Sequence, residues 1–279
     1  MRCRDLRAKL GKLPPRVMIV LIILIVIYPI FFVIQTSFKT DEEILSNFWG
    51  LPQAPTLTNY ADAWVKASIG TYFMNSSIVV VTSTVAIVYV AILAAYALAR
   101  LKVRHANLII GVLLFTMFLP GEMNVLPMSI MFSKASLMRR YITLILPYVA
   151  WQLPLSTFIC YNYLLTLPVD LIEAARIDGR REIGILNRVI IPLASPPIAC
   201  VTIVMFCILW GEYLWAAITM QGGGPRTLPL GLQKFSAYQR IAWGPYTAAV
   251  ALVIVPLIAL FVAMQNKFVQ GLTSGAVKG

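Results

Sequence analysis

Residues 71–99 carry no charged side chain. A helix of about 20 mostly apolar residues crosses the hydrocarbon core of a bilayer, and this run is longer than that. The pattern recurs. Six apolar stretches, 17–35, 71–99, 107–132, 142–167, 192–220 and 244–266, are separated by charged or turn-rich segments. The only charges inside them are Glu122 in the third and Glu212 in the fifth. Only 12% of the chain is charged and 59% is hydrophobic, whereas soluble domains are about a quarter charged. An all-α integral membrane protein with six transmembrane helices is expected. Its longest stretches should tilt or extend into the interface.

An even number of spans places both termini on one side. Fifteen of the 23 Lys and Arg residues fall on that side and eight on the other, which marks the first as cytoplasmic. Arg139 and Arg140 are exceptions on the outer side. The net charge of +12 is read as anchoring to anionic lipid headgroups. Nucleic acid is not an expected partner, because no basic helix or aromatic reading surface stands clear of the membrane. Residues 1–16 form a basic cytoplasmic arm, and 17–279 a single transmembrane domain. The first apolar stretch is too long for a signal-peptide core and lacks a small-x-small cleavage site. The four cysteines suggest no disulfide framework.

Catalytic chemistry has no foothold. The single histidine, His105, lies in a basic turn. No Gly-x-x-x-x-Gly-Lys phosphate loop, His-Glu zinc motif or serine elbow is present, and no metal site is expected. An ionisable group at membrane depth is by default a functional candidate. Glu122 follows Pro120-Gly121; a structural partner within the bundle is expected for it, with the substrate path as the alternative. Glu212 lies in Trp210-Gly211-Glu212-Tyr213-Leu214-Trp215. It either meets sugar hydroxyls beside Trp210 and Tyr213, or simply reaches water at an aromatic belt. Prolines at 29, 120, 127, 147, 154 and 256 are expected to kink their helices. The outer loop 221–243 begins with Gly222-Gly223-Gly224-Pro225, read as a flexible start to a connector, or to a segment that dips back or meets a partner.

Between the fourth and fifth stretches lies a polar island, 170–183. Pro168, Asp170 and Glu173 are helix-start signals, and Asp178-Gly179 stops the helix. A second helical stretch, 180–191, places Ile185, Leu186, Val189 and Ile190 roughly on one face and runs into Pro192. A short helix, a glycine turn and a membrane-surface helix follow from this. Such a unit offers its first helix to a cytoplasmic protein.

The spacing Glu173-Ala174-Ala175, three residues, Gly179, nine residues, Val189, one residue, Ile191-Pro192 resembles the EAA loop of binding-protein-dependent ABC importer permeases. Asn75-Ser76, the Trp210 to Trp215 segment and the ending 265–279 are similar to the second permease subunit of maltose-type importers. Arg180 stands where Ala is usual, Leu186 where Phe is common, Gly211 where Asn is usual, and Met138-Arg139-Arg140 where Leu-Asn-Thr is usual. The resemblance implies a type I (MetI-like) permease fold in a bacterial inner membrane. It implies a coupling loop at about 168–192, with Glu173, Ala174, Ala175, Asp178, Gly179 and Arg180 seated in a cleft of a separate ATPase dimer. Glu173 would pair with a basic residue there, both alanines would allow close approach, and Gly179 would permit the turn. ATP and Mg would be held by that ATPase. A second permease subunit and an extracytoplasmic solute-binding protein would complete the machine, the 221–243 loop reaching towards the latter and the tail after Gln265 meeting the ATPase. Glu122, Trp210, Glu212 and Tyr213 would be the candidates along a path for a sugar or related solute.

Overall fold

Backbone N–H and C=O groups in hydrocarbon have no water to bond, so apolar segments must satisfy them internally as helix. The computed structural model, which describes residues 15–101, 103–236 and 242–276, is helical throughout, with no strand among the described residues. Residues 1–14 of the expected N-terminal arm, 237–241 of the outer loop and 277–279 of the tail lie outside this set.

Among the described residues, four helices are long and apolar enough to cross a membrane: α1 (Pro15–Thr36), α3 (Ile69–Arg100), α6 (Tyr141–Thr166) and α12 (Trp243–Ala276). The short α2 (Asp41–Ser46) lies between the first two. Two bent pairs bring the candidate spans to six. They are α4 (Ala106–Thr116) with the segment Gly121–Lys134, whose main helix is α5 (Val125–Lys134), and α8 (Glu182–Leu193) with α9 (Ser195–Trp210). Around the second pair lie α7 (Asp170–Ile177), α10 (Leu214–Thr219) and α11 (Leu228–Ser236).

Both pairs are sharply bent, the third span at Pro120-Gly121, where a break was expected, and the fifth, expected over 192–220, at a place the sequence did not mark. The third turns through 86° after Thr116. Pro120 there has φ −57° and ψ 125° and no N–H to continue the ladder. The fifth begins at Glu182, bends by 78° at Ala194 and ends at Trp210 rather than at 220. Pro196 and Pro197 lie in the first turn of α9, where missing donors are harmless, but they cannot extend the helix before them. Helices α1, α6 and α12 run continuously through Pro29, Pro147, Pro154 and Pro256. The last helix also continues to Ala276, so residues 265–276 prolong it rather than leave it as a separate tail. At 34 residues it is about 51 Å long, well beyond the roughly 30 Å hydrocarbon core.

The chain forms two units. One comprises the described residues up to Ile69 with Lys234–Ile254; the other comprises Gly70–Gln233 with residues from Val255 on. In the second unit, Ser76, Val80, Ser83, Thr84, Ile87, Ala91, Ala95 and Tyr96 of α3 are buried, the three- and four-residue spacing of one helix face. In the first unit α1 is apolar around its whole circumference and exposed from Val17 to Tyr28, a surface suited to lipid. The loop after α1 folds around the buried Lys39. Its Nζ donates to Asn47 O (2.7 Å) and Phe48 O (3.2 Å), a cation on the C-terminal carbonyls of α2. Asn59 Nδ2 donates to Ser37 O (2.8 Å) and Lys39 O (2.7 Å), and Gly244 N–H donates to Asp41 Oδ1 (2.7 Å).

Replacing Lys39 with Met keeps most of the stem and removes the donor. Destabilisation of about 1–3 kcal/mol is expected, as for carbonyls left without a partner. A lowered midpoint of thermal unfolding in detergent would show it, and an unchanged midpoint would refute this role.

Candidate functional site

Helix α7 is the polar island of the sequence. Its inner face is Ile172, 2% exposed, and Ala175, 7% exposed. Its outer face is Asp170, Glu173, Ala174 and Ile177, all exposed, at the spacing of neighbours on one side of a helix. Ile177 is 86% exposed, so an apolar knob stands beside a small residue and two carboxylates. Only Ala174 of the two alanines is presented outward. The expectation that both permit close approach to a partner is corrected by the phase of the helix, which turns Ala175 into the chain's own packing.

The helix ends in a glycine cap. Gly179 N–H bonds to Arg176 O (2.9 Å), and Arg180 N–H reaches back to Ala175 O (3.1 Å). This pairing satisfies the last carbonyls and needs a left-handed residue between, and Gly179 has φ +75°. A Cβ at Gly179 would meet nothing within 4 Å. Backbone conformation, not space, therefore demands glycine on the inside, and the outside is left open. Asp178, Arg180 and Arg181 surround the turn and are exposed.

The island is tied to the spans by groups the sequence reading missed. Arg176 Nε–H donates to Glu182 Oε1 (2.9 Å), and the Tyr96 hydroxyl donates to Glu182 Oε2 (2.5 Å). The hydrogen bond to Glu182 raises Arg176 above its ordinary range. Arg100, at the end of α3, donates to Leu164 O and to Leu167 O (2.6 Å), placing a cation on the C-terminal carbonyls of α6. Tyr163 donates to Leu193 O (3.1 Å) at the foot of α8. The only local signal was the short separation of Arg176 from Glu182; Tyr96 and Arg100 are remote in sequence.

The aromatic segment after α9 is mostly core. Trp210 is 2% exposed, stacks on Phe206 with centroids 5.3 Å apart and meets Phe73 edge-on at 5.6 Å. Glu212 is held on three sides. It accepts from the Tyr148 hydroxyl, from Trp215 N–H (2.7 Å) and from Ala216 N–H (3.3 Å), which caps α10. These internal donors hold the carboxylate in place beside the aromatic segment. Tyr213 is exposed. Glu122 is exposed on the short helix Gly121–Asn124. Its carboxylate has no hydrogen-bond or ionic partner among the described residues, where a structural partner inside the bundle was expected. Beside this break a cavity of about 670 Å³ is lined by Thr116, Asn124, Trp151, Gln152 and apolar neighbours. Two amides, a hydroxyl and an indole are the groups that bind and stack on a polyhydroxylated ligand. Sequence reading passed over Trp151 and Gln152 because they sit inside an otherwise uniform apolar stretch.

At the other end of this unit the outer loop does dip back. Ser76 Oγ accepts from Leu228 N–H (2.7 Å), and Asn75 Nδ2 donates to Arg226 O (3.0 Å). Gly222, Gly223 and Gly224 have φ of +78°, +144° and +92° and wrap Arg139. A Cβ at Gly224 would lie 2.7 Å from Arg139 O.

A family model described as "Binding-protein-dependent transport system inner membrane component" matches residues 87–274. The chain belongs to this family. The match covers the cavity, the α7 loop and the outer loop. Among relatives in this family, the probable ABC transporter permease protein YurM of Bacillus subtilis is 30% identical over 97% of this chain and 90% of its own length. The sulfoquinovosyl glycerol transport system permease protein SmoH of Agrobacterium fabrum is 33% identical, over 91% of this chain and 89% of its own. The diacetylchitobiose uptake system permease protein NgcG of Streptomyces coelicolor is 32% identical, over 91% and 85%. These are permease subunits, transport components rather than enzymes. The crystal structure of a bacterial ABC transporter that imports the acidic polysaccharide alginate matches 96% of this chain and 98% of the matched chain, with a TM-score of 0.77 at 20% identity. That likeness shows the all-helical, MetI-like permease fold.

The two kinds of glycine separate by mutation. Gly179→Ala should lower stability by about 1 kcal/mol, the cost of a left-handed alanine. Gly224→Ala adds a steric clash to the same cost and should lose at least about 2 kcal/mol. Thermal midpoints of the two purified variants check the order, and equal losses would contradict it.

Proposed function

We propose that this chain is one of two permease subunits of an ATP-driven importer of a sugar or related solute, coupled to a separate ATPase through α7. The observation that carries the proposal is α7 itself: a polar helix with Glu173, Ala174 and Ile177 facing out, closed by a left-handed glycine and flanked by membrane spans. Membership of the family supports the assembly. The names of the diacetylchitobiose and sulfoquinovosyl glycerol relatives and the amide, hydroxyl and indole lining of the cavity support the substrate class.

In this reading the chain has six spans with both termini and α7 in the cytoplasm, the two bent pairs each counting as one span. ATP and Mg are held by the ATPase dimer and supply the work of closure. Glu173 pairs with a basic group in the ATPase cleft, Ala174 lets the helix approach, and Ile177 fills an apolar recess. Asp178 and Arg180 lie at the rim, where Arg180 distinguishes one ATPase from another. The outer loop that Asn75 and Ser76 hold against α3 faces the solute-binding protein. The cavity beside Pro120, with Glu122 and Tyr213 exposed, contributes to the path between the two permease subunits.

Gly179→Asp tests the proposal. The carboxylate enters open space on the inside count, so membrane insertion should be normal while uptake by cells falls to background. Full uptake in that variant would overturn the assignment of α7 as the coupling helix.

A further inference from the structure

We propose that Glu182 is a positioning residue that fastens α7 to α3, so that displacement of α7 enters the membrane through Tyr96 rather than through the α8 backbone alone. The inference rests on the reading of α7 as the coupling helix, but the link itself is independent of it. A helix ending in a glycine cap has a hinge. Past Gly179 the backbone has no further hydrogen bond to α7 beyond Arg180 N–H to Ala175 O, and α8 then turns through 78° into α9. A push on α7 would be absorbed at such joints unless a side chain bridges them.

Glu182 does that. It stands at the first position of α8, beyond the glycine, and its two oxygens take different partners: Oε1 from Arg176 on α7 at 2.9 Å, Oε2 from Tyr96 on α3 at 2.5 Å. Tyr96 is 3% exposed and sits on the buried stripe of α3, so its hydroxyl is fixed by packing. The carboxylate is therefore a two-way clamp with one fixed jaw. Four residues further along α3, Arg100 binds the end carbonyls of α6, and Tyr163 of α6 binds the foot of α8 at Leu193 O. The clamp thus closes a ring of side-chain contacts joining α7, α3, α6 and α8.

The Arg176–Glu182 pair is about 40% exposed on both sides, at 41% and 43%. Half-exposed ion pairs add little to stability. The Arg176 half of the clamp is therefore poorly explained as a fold stabiliser, and its loss is expected to leave the chain folded. That makes the role testable.

The experiment uses the full importer in proteoliposomes, with both permease subunits, the ATPase and the solute-binding protein, loaded with the solute that the binding protein is shown to hold. Solute imported per ATP hydrolysed is measured for E182A, Y96F, their double variant and G179D. E182A and Y96F should keep ATP hydrolysis and complex yield while solute per ATP falls, about tenfold for E182A, which removes a charge-assisted bond. The double variant should be no worse than E182A, because both changes open the same clamp. E182Q, which keeps an acceptor for Tyr96, should recover part of the loss. Unchanged solute per ATP in E182A and Y96F, with G179D inactive, would overturn the clamp and leave the coupling helix standing. Full activity in G179D would instead remove the coupling-helix reading. A parallel fall of hydrolysis, uptake and complex yield in E182A would assign the residue to folding and also overturn the clamp.

Discussion

The ends of a helix leave carbonyls and N–H groups without partners, so wherever this chain leaves the helical path something must receive the freed backbone groups. The places where it does so organise the molecule. At Gly179 the last carbonyls of α7 are taken by the N–H groups of Gly179 and Arg180. After α6 they are taken by the guanidinium of Arg100. Where α9 stops at Trp210, the exposed donors of α10 are taken by the carboxylate of Glu212. Beside Pro120 a cavity opens that is largely apolar, with Thr116, Asn124, Trp151 and Gln152 in its lining. Three of these four departures use a charged or glycine residue in an otherwise apolar chain.

The positions of the spans were legible because hydropathy reports which segments cannot stay in water. The island was legible because a charged helix cannot stay in lipid. The break in the third span was legible in principle. Helices α1, α6 and α12 absorb their prolines, and among the prolines within the spans only Pro120 is followed by glycine, a turn dipeptide. Hydropathy averages over that pair, so the dipeptide itself is what marks the break.

What stayed hidden were pairings across long sequence distance. Glu212 was weighed between water and sugar, but its partner Tyr148 lies on α6. Arg139 was an unexplained charge, and Gly222 to Gly224 an apparent flexible tether. The two meet in the fold, since the positive φ values of the glycines let the loop close on the Arg139 backbone. The direction of Ala174 and Ala175 could not be read from the motif, which treats them alike. The burial of Ile172 and Ala175 sets the helix phase and leaves Ala174 as the only small residue on the outer face.

That phase gives the most direct test of α7 as the surface gripped by the ATPase. Single cysteines at Ala174, Ala175 and Ile177, in a background where the four native cysteines are replaced, can be treated with a short thiol-to-amine cross-linker in the assembled complex. Cross-links to the ATPase at positions 174 and 177, and none at 175, are the predicted result. Absence of any cross-link at 174 and 177 in a complex that hydrolyses ATP would contradict the account.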